Sequence, residues 1–181
     1  MADKIYLVTE DYIKENSEIQ DNTDIKLVKR NIIVAQDIYI QEILGTSLYR
    51  AILANIKAGS ISAEYRTLLE DYIQPCTLNY ALVKSMPFLN YKLTNKAVVK
   101  KEADNTITSD LKEIQFLQDT YRDTAEFYAE RMIKFLLENY EADYPLYANS
   151  NNDDIDEMKH KTNSPYATGG LYLGDVDINR C

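Results

Sequence analysis

TSDLKEIQFLQDTYRDTAEFYAERMIKFLLENY, Thr108 to Tyr140, is the stretch from which the fold class can be read. Leu111, Ile114, Tyr121, Ala125, Tyr128, Met132 and Phe135 recur at three, four and seven residues, the spacing that gathers side chains on one face of a helix. Only Gln118 interrupts the seven-residue rhythm, so one long helix is predicted, its apolar seam docked along a partner helix. Thr108, Ser109 and Asp110 supply capping oxygens at its start, and it should end near Tyr140. Off the seam lie Asp119, Asp123, Glu126 and Glu130, with Arg122 and Arg131 beside them. These read as a solvated face whose pairs contribute roughly tenths of a kcal/mol each. The functional alternative is an acidic docking stripe, or a channel wall that repels phosphate.

Upstream, Ile5 to Val8 form a short apolar run, and Thr9 caps a first turn containing Glu10 and Asp11, predicting a helix over residues 10–16. After a break at Asp21, Asn22 and Thr23, the residues Ile25, Val28, Ile32, Ala35 and Tyr39 mark a second helix reaching Leu44. Leu27, Ile33, Val34, Ile38 and Ile40 widen its stripe, so it is predicted to be a central helix, covered on more than one side. Gly45 takes the place of a left-handed residue after that helix, and Thr46 or Ser47 caps a third carrying Leu48, Ile52 and Ile56 to Gly59. Ser60 and Ser62 open a fourth helix, with a kink or break predicted at Pro75 and an end at Ser85–Pro87. Phe88–Val99, FLNYKLTNKAVV, alternates apolar and polar residues as short strands do. The expected fold is mainly α: a bundle of about four to five helices with a short β-hairpin or extended arm and a long irregular C-terminal tail. Residues 1–145 form the helical core, with the hairpin or arm at 88–100, and residues 146–181 an extended interaction tail.

Five glycines and four prolines in 181 residues are sparse punctuation, which again favours helices. A net charge of -9 argues against duplex binding through overall electrostatics, because neutralising phosphates takes clustered Lys and Arg. One basic run exists, Lys92, Lys96, Lys100 and Lys101, with no acid between them. It reads either as a solvated edge guarded by charge or as a contact with an acidic partner or passing DNA. Cys76 and Cys181 lack the spacing of a zinc site or disulfide framework, and a reducing compartment fits. The opening MADKIYLVTEDY has no signal-peptide pattern, and no apolar stretch approaches the length of a membrane span.

His160, the single histidine, sits between Lys159 and Lys161 with no nucleophile motif beside it. Phosphate-cradling glycine motifs, HExxH and EF-hand loops are missing, and one histidine cannot supply the two Glu-x-x-His pairs of a di-iron bundle. No catalytic, cofactor-binding or metal-ligating residue is therefore assigned, and no enzyme activity is expected.

The 15 tyrosines, with no tryptophan, provide broad contact area with a polar tip, which suits surfaces buried on assembly. Tyr39, Tyr72, Tyr121 and Tyr128 fall at helical spacing and read as packing residues. Ala148–Thr168, by contrast, buries too little apolar surface to offset ordering costs of roughly 1–2 kcal/mol per residue. Such a tail needs a partner. Partner contacts are assigned to Tyr91, Lys92, Lys96, Lys100 and Lys101 in the arm. In the tail they are assigned to Tyr144, Pro145, Tyr147, Tyr166, Gly169, Gly170, Leu171, Tyr172 and Leu173. GGLYLGDV, Gly169–Val176, has the form of a strand that adds to a sheet edge.

Four stretches carry a family resemblance: LLEDYIQPCTLNYALVKSMPFL (Leu68–Leu89), NKAVVKK (Asn95–Lys101), DTYRDTAEFYAERMIKFLLENY (Asp119–Tyr140) and YPLY (Tyr144–Tyr147). They resemble head-to-tail connector, or head-completion adaptor, proteins of tailed bacteriophages, nearest to those of crAss-like and other Bacteroidetes phages. The resembling NKxVV segment has glycine where this chain has Ala97. The resemblance implies a homo-oligomeric ring, commonly of twelve copies, seated beneath the portal protein, extending the DNA channel and docking a tail or second ring protein. DNA would be a non-specific passenger, no membrane would be involved, and the protein would reside in the virion neck after assembly in the bacterial host cytoplasm. A reading of a different class is a small helical interaction or regulatory module with a disordered tail, which would stay monomeric or dimeric. Deleting residues 165–181 is expected to weaken assembly while leaving the helical core folded, as sedimentation and circular dichroism would register.

Overall fold

The computed structural model describes residues 4–19, 26–93, 98–100 and 111–148, and the chain is mainly helical. Thr9 caps helix α1 (Glu10–Glu15), its hydroxyl oxygen accepting from the Tyr12 amide at 3.2 Å. The predicted breaks at 21–23 and 100–105 and the cap at 108–110 lie outside the described residues, apart from Lys100. Helix α2 (Lys26–Ala35) runs into a five-residue π-helical segment, π1 (Gln36–Ile40), and then α3 (Gln41–Ala58). Gly45 separates two helical stretches within α3, as expected, with positive φ (φ 74°, ψ 157°) but extended ψ in place of the αL value, a region essentially restricted to glycine. Gly59 closes α3 at φ 66°, ψ 18°. Its amide donates to the Ile56 carbonyl and that of Ser60 to Asn55, the paired bonds of a Schellman end.

Ser62 caps α4 (Ala63–Leu68), which continues through a second π segment, π2 (Leu69–Ile73), into α5 (Gln74–Asn90). Pro75 therefore does not break the helix. The Gln74 amide bonds five residues back to the Leu69 carbonyl, and Pro75 follows directly on this widened turn. Nor does Pro87 end it, since it lies inside α5. A proline there deprives the carbonyl four residues back, Val83, of its helical donor. Gln118 of α6 (Leu111–Asn139) donates its Nε2–H to that oxygen at 3.0 Å. The residue that interrupts the apolar rhythm of α6 thus repairs the gap made by the proline in α5. Strands β1 (Tyr91–Leu93) and β2 (Val98–Lys100) pair antiparallel, with Tyr91 opposite Lys100, Lys92 opposite Val99 and Leu93 opposite Val98. Helix α7 (Pro145–Ala148) follows α6.

The centre of the bundle is α5, not the α2–π1 stretch expected from its apolar width. Lys26 and Arg30 keep α2 open to solvent, whereas from Cys76 to Val83 only Asn79 is less than fully buried, and α5 packs against both α2 and α6. Thr77 and Ser85 are buried there because each hydroxyl donates to the carbonyl four residues back, at 2.7 and 2.6 Å. Asn31 of α2 donates to the Ser85 oxygen at 3.0 Å, tying the two helices by a polar contact. Helices α5 and α6 run antiparallel, since Cys76 meets Ala125 and Val83 meets Gln118. Along this interface Ile114, Ala125 and Met132 are buried, and Tyr121, Tyr128 and Phe135 pack against the core, as the heptad spacing predicts.

The two π segments do matching work. Gln36, the first residue of π1, accepts from the Leu7 amide at 3.0 Å and donates to the Ile5 carbonyl at 3.2 Å. Gln74, just after π2, donates to the Leu7 carbonyl at 3.1 Å. The N-terminal strap is thus held by side-chain amides, with Leu7 and Val8 in the core. Each segment also carries a Tyr-Ile pair. Ile40 and Ile73 are buried, Tyr39 stacks on Tyr80 of α5 at 3.9 Å, and Tyr72 stacks on Phe135 of α6 at 4.2 Å. Gln118→Ala is expected to cost about 1 kcal/mol by stranding the Val83 carbonyl, and markedly less in a Pro87→Ala background that restores the helical donor. Urea denaturation of the four members of the cycle measures the coupling.

Candidate partner-binding surface

The outward face of α6 mixes charge with exposed aromatic area. Phe116 and Phe127 are 72% and 63% exposed, and Leu117 and Leu137 are also open to solvent. Eleven residues separate the two phenylalanines, about three helical turns, so they share one face. Around them Arg122 pairs with Asp119, and Lys134 approaches Glu130 at 3.6 Å. These pairs are exposed, as expected for a solvated stripe, and such contacts contribute at most about 1 kcal/mol each. A reading of this face by its carboxylates alone overlooks both phenylalanines. Placing every apolar residue of Leu111–Asn139 on a helical wheel, rather than only those in the seam, reveals them.

Where π2 meets α6 the surface dips into an open groove of about 320 Å³, walled by Tyr72, Phe127 and Phe135 and edged by Glu130, Lys134 and Glu138. The Arg131 guanidinium lies 4.8 Å from the centre of the Tyr72 ring. There it can keep its charge in contact with an aromatic face while remaining wet. Because Phe135 stacks on Tyr72 and packs against the core, the groove floor is anchored while Phe127 stays exposed at its lip. An apolar floor with a charged rim suits recognition of a large side chain flanked by polar groups.

Of the residues assigned to partners, Tyr144 and Tyr147 require correction. They are 1% and 2% exposed, spent inside the fold. Pro145 starts the short turn of α7, and with the two tyrosines three residues apart both rings turn inward as α7 packs on α3. The Tyr144 hydroxyl donates to the Glu64 carbonyl at 2.8 Å, and its ring lies 6.0 Å from Tyr65 and 5.8 Å from Phe135. The packed core therefore continues past residue 145 to Tyr147. Pro145 itself is exposed. Tyr91 and Lys92 stand in β1 and Lys100 in β2. Lys96, Lys101, Tyr166, Gly169, Gly170, Leu171, Tyr172 and Leu173 lie outside the described residues, as do His160 and Cys181. Cys76 is buried, and loss of hydration pushes its thiol well above the usual range, so it serves packing. Among the described residues no group of three His, Cys, Asp or Glu side chains is placed to hold a metal ion, and no helix is long and apolar enough to cross a membrane.

Residues 40–157 match a family of unknown function, DUF6712. The chain belongs to the DUF6712 family. No curated protein and no solved structure matches it. The DUF6712 region begins at Ile40, the last residue of π1, and takes in α3 through α7, so all walls of the groove fall within it. The strap, α1 and α2 precede it.

Burial raises the Tyr144 and Tyr147 hydroxyls from 10.0 to about 12. The fold favours their neutral form, so the stability tied to them is complete below pH 10 and declines as pH climbs from 10 towards 12. Tyrosinate absorbance followed alongside helical circular dichroism should show the core loosening in that window. Tyr144→Phe should remove part of the alkaline loss.

Proposed function

We propose that this protein is a structural component of a phage virion, a head-to-tail connector whose copies form a ring beneath the portal, extend the DNA channel and dock the next tail component. In this reading the bundle performs no reaction, and its work is geometric: helices packed about an axis, joined by segments that order on contact. The observation that carries the reading is the α6 face, where Phe116 and Phe127 stand exposed among charges. Phenylalanine rings held in water cost free energy that burial on a partner recovers, at about 25 cal/mol per Å².

The stretches resembling connector proteins also support it, because three of the four fall on π2 with α5, on α6 and on α7; π2, α5 and α6 pack on one another, and Tyr144 meets Phe135 of α6. The β1–β2 pair, with its lysines, would act as an arm towards a neighbouring copy or the portal, and the tail beyond α7 as a second. Closure of a ring multiplies modest contacts into a durable assembly.

Averaged electron micrographs of virion necks, or of the purified chain mixed with its portal, are expected to reveal several copies arranged about a common axis. A protein that remains monomeric or dimeric with portal present would instead favour a small interaction module.

A further inference from the structure

Three features meet at the groove between π2 and α6. Its floor is aromatic, Tyr72 and Phe135, and Phe127 forms an exposed lip. Its rim offers both signs of charge through Lys134 and Glu138. The end of the described chain abuts it, since Tyr144, four residues before Ala148, has its ring 5.8 Å from that of Phe135.

Beyond Ala148 the sequence continues for 33 residues, mostly polar with isolated Ile155, Met158 and Tyr166 before Leu171-Tyr172-Leu173, the densest apolar cluster in that stretch. The 22 residues between Ala148 and Leu171 reach up to roughly 75 Å when extended, at about 3.4 Å each. Seating the cluster in the groove of its own bundle would need only a fraction of that length, because the groove wall already touches Tyr144. A spacer this long fits a crossing to the equivalent groove of the next copy.

We infer that the Leu171–Leu173 segment of one copy docks in the π2–α6 groove of a second copy, Tyr172 entering between Phe127 and Phe135 with Asp175 brought to the Lys134 side of the rim. A single large side chain matches the size of the groove, which lies near the small end of ligand pockets at about 300 Å³. The contact is head-to-tail, a donor segment on one copy and an acceptor groove on the other. Such an interface propagates round a ring instead of closing as a symmetric pair. This inference rests on the ring reading and names the surface through which copies join.

Two full-length variants test it: Phe127→Asp, which spoils the groove at an exposed position, and Tyr172→Asp, which spoils the tail. Circular dichroism verifies that both keep the wild-type helix content. Light scattering coupled to size exclusion then reads mass for wild type, each variant and their equimolar mixture. Wild type is expected to form higher-order species and each variant alone to lose them. The mixture should form a heterodimer, since it retains one intact tail and one intact groove that can meet only between chains. If wild type assembles and either variant assembles equally well, the groove is not the tail's site, and the inference falls while the ring reading stands. If wild type stays monomeric and its tail amides are protected from hydrogen exchange until Phe127→Asp exposes them, the tail docks on its own bundle, and the inference falls. A wild type that is monomeric, with an unprotected tail, both alone and with portal present defeats the inference together with the ring reading.

Discussion

Between Cys76 and Val83 helix α5 offers almost no face to water, and the other helices are arranged to cover it. Its run from Cys76 to Val83 is buried at every position but Asn79, so α2 and α6 must both lie against it, and its hydroxyls must bond to its own backbone. Burial also forbids any unpaired carbonyl. Pro87 opens one such vacancy at Val83, and Gln118 fills it from α6, fixing the axial position of the longest helix against the central one. A slip of one turn would carry the amide about 5 Å from the oxygen it satisfies. Apolar packing would tolerate several registers; this polar bond selects one of them.

Helix content, the α6 seam and the caps at Thr9 and Ser62 were legible in the sequence, because each depends on local spacing or on one side chain near its own backbone. What could not be read depends on neighbours. The fate of Pro75 turned on a π turn beginning six residues earlier, and that of Pro87 on an amide from another helix. The central helix was misplaced because apolar width measures appetite for burial, while the exposed Lys26 and Arg30 show which side α2 actually leaves uncovered. Tyr144 and Tyr147 had no long helical pattern to announce them, since a four-residue helix is too short to display a period. Their burial comes from the meeting of α7 with α3 and the Glu64 carbonyl.

The tyrosines divide into two populations by what their tips reach. Tyr144 rests on other rings inside the molecule, whereas Tyr39 and Tyr72 are shared: each stacks on another ring, Tyr80 or Phe135, and has a cation near its own ring, Lys84 or Arg131. Core and surface are therefore built from the same aromatic contacts. That continuity matters for recognition, because a groove whose floor is a core residue is rigid before a partner arrives and little ordering cost remains to be met on binding. Phe127, exposed and in edge contact with Tyr128, completes the wall at its rim.

The amide clamp on the strap carries an implication for the order in which the chain acquires its shape. The backbone of Ile5 and Leu7 bonds to the side chains of Gln36, the first residue of π1, and Gln74, just after π2. Until π1 and α5 have come together, no complete binding site for the strap exists. Docking of the strap is thus conditional on that pairing, and a change that parts π1 from α5 also removes the amides that hold residues 5–7.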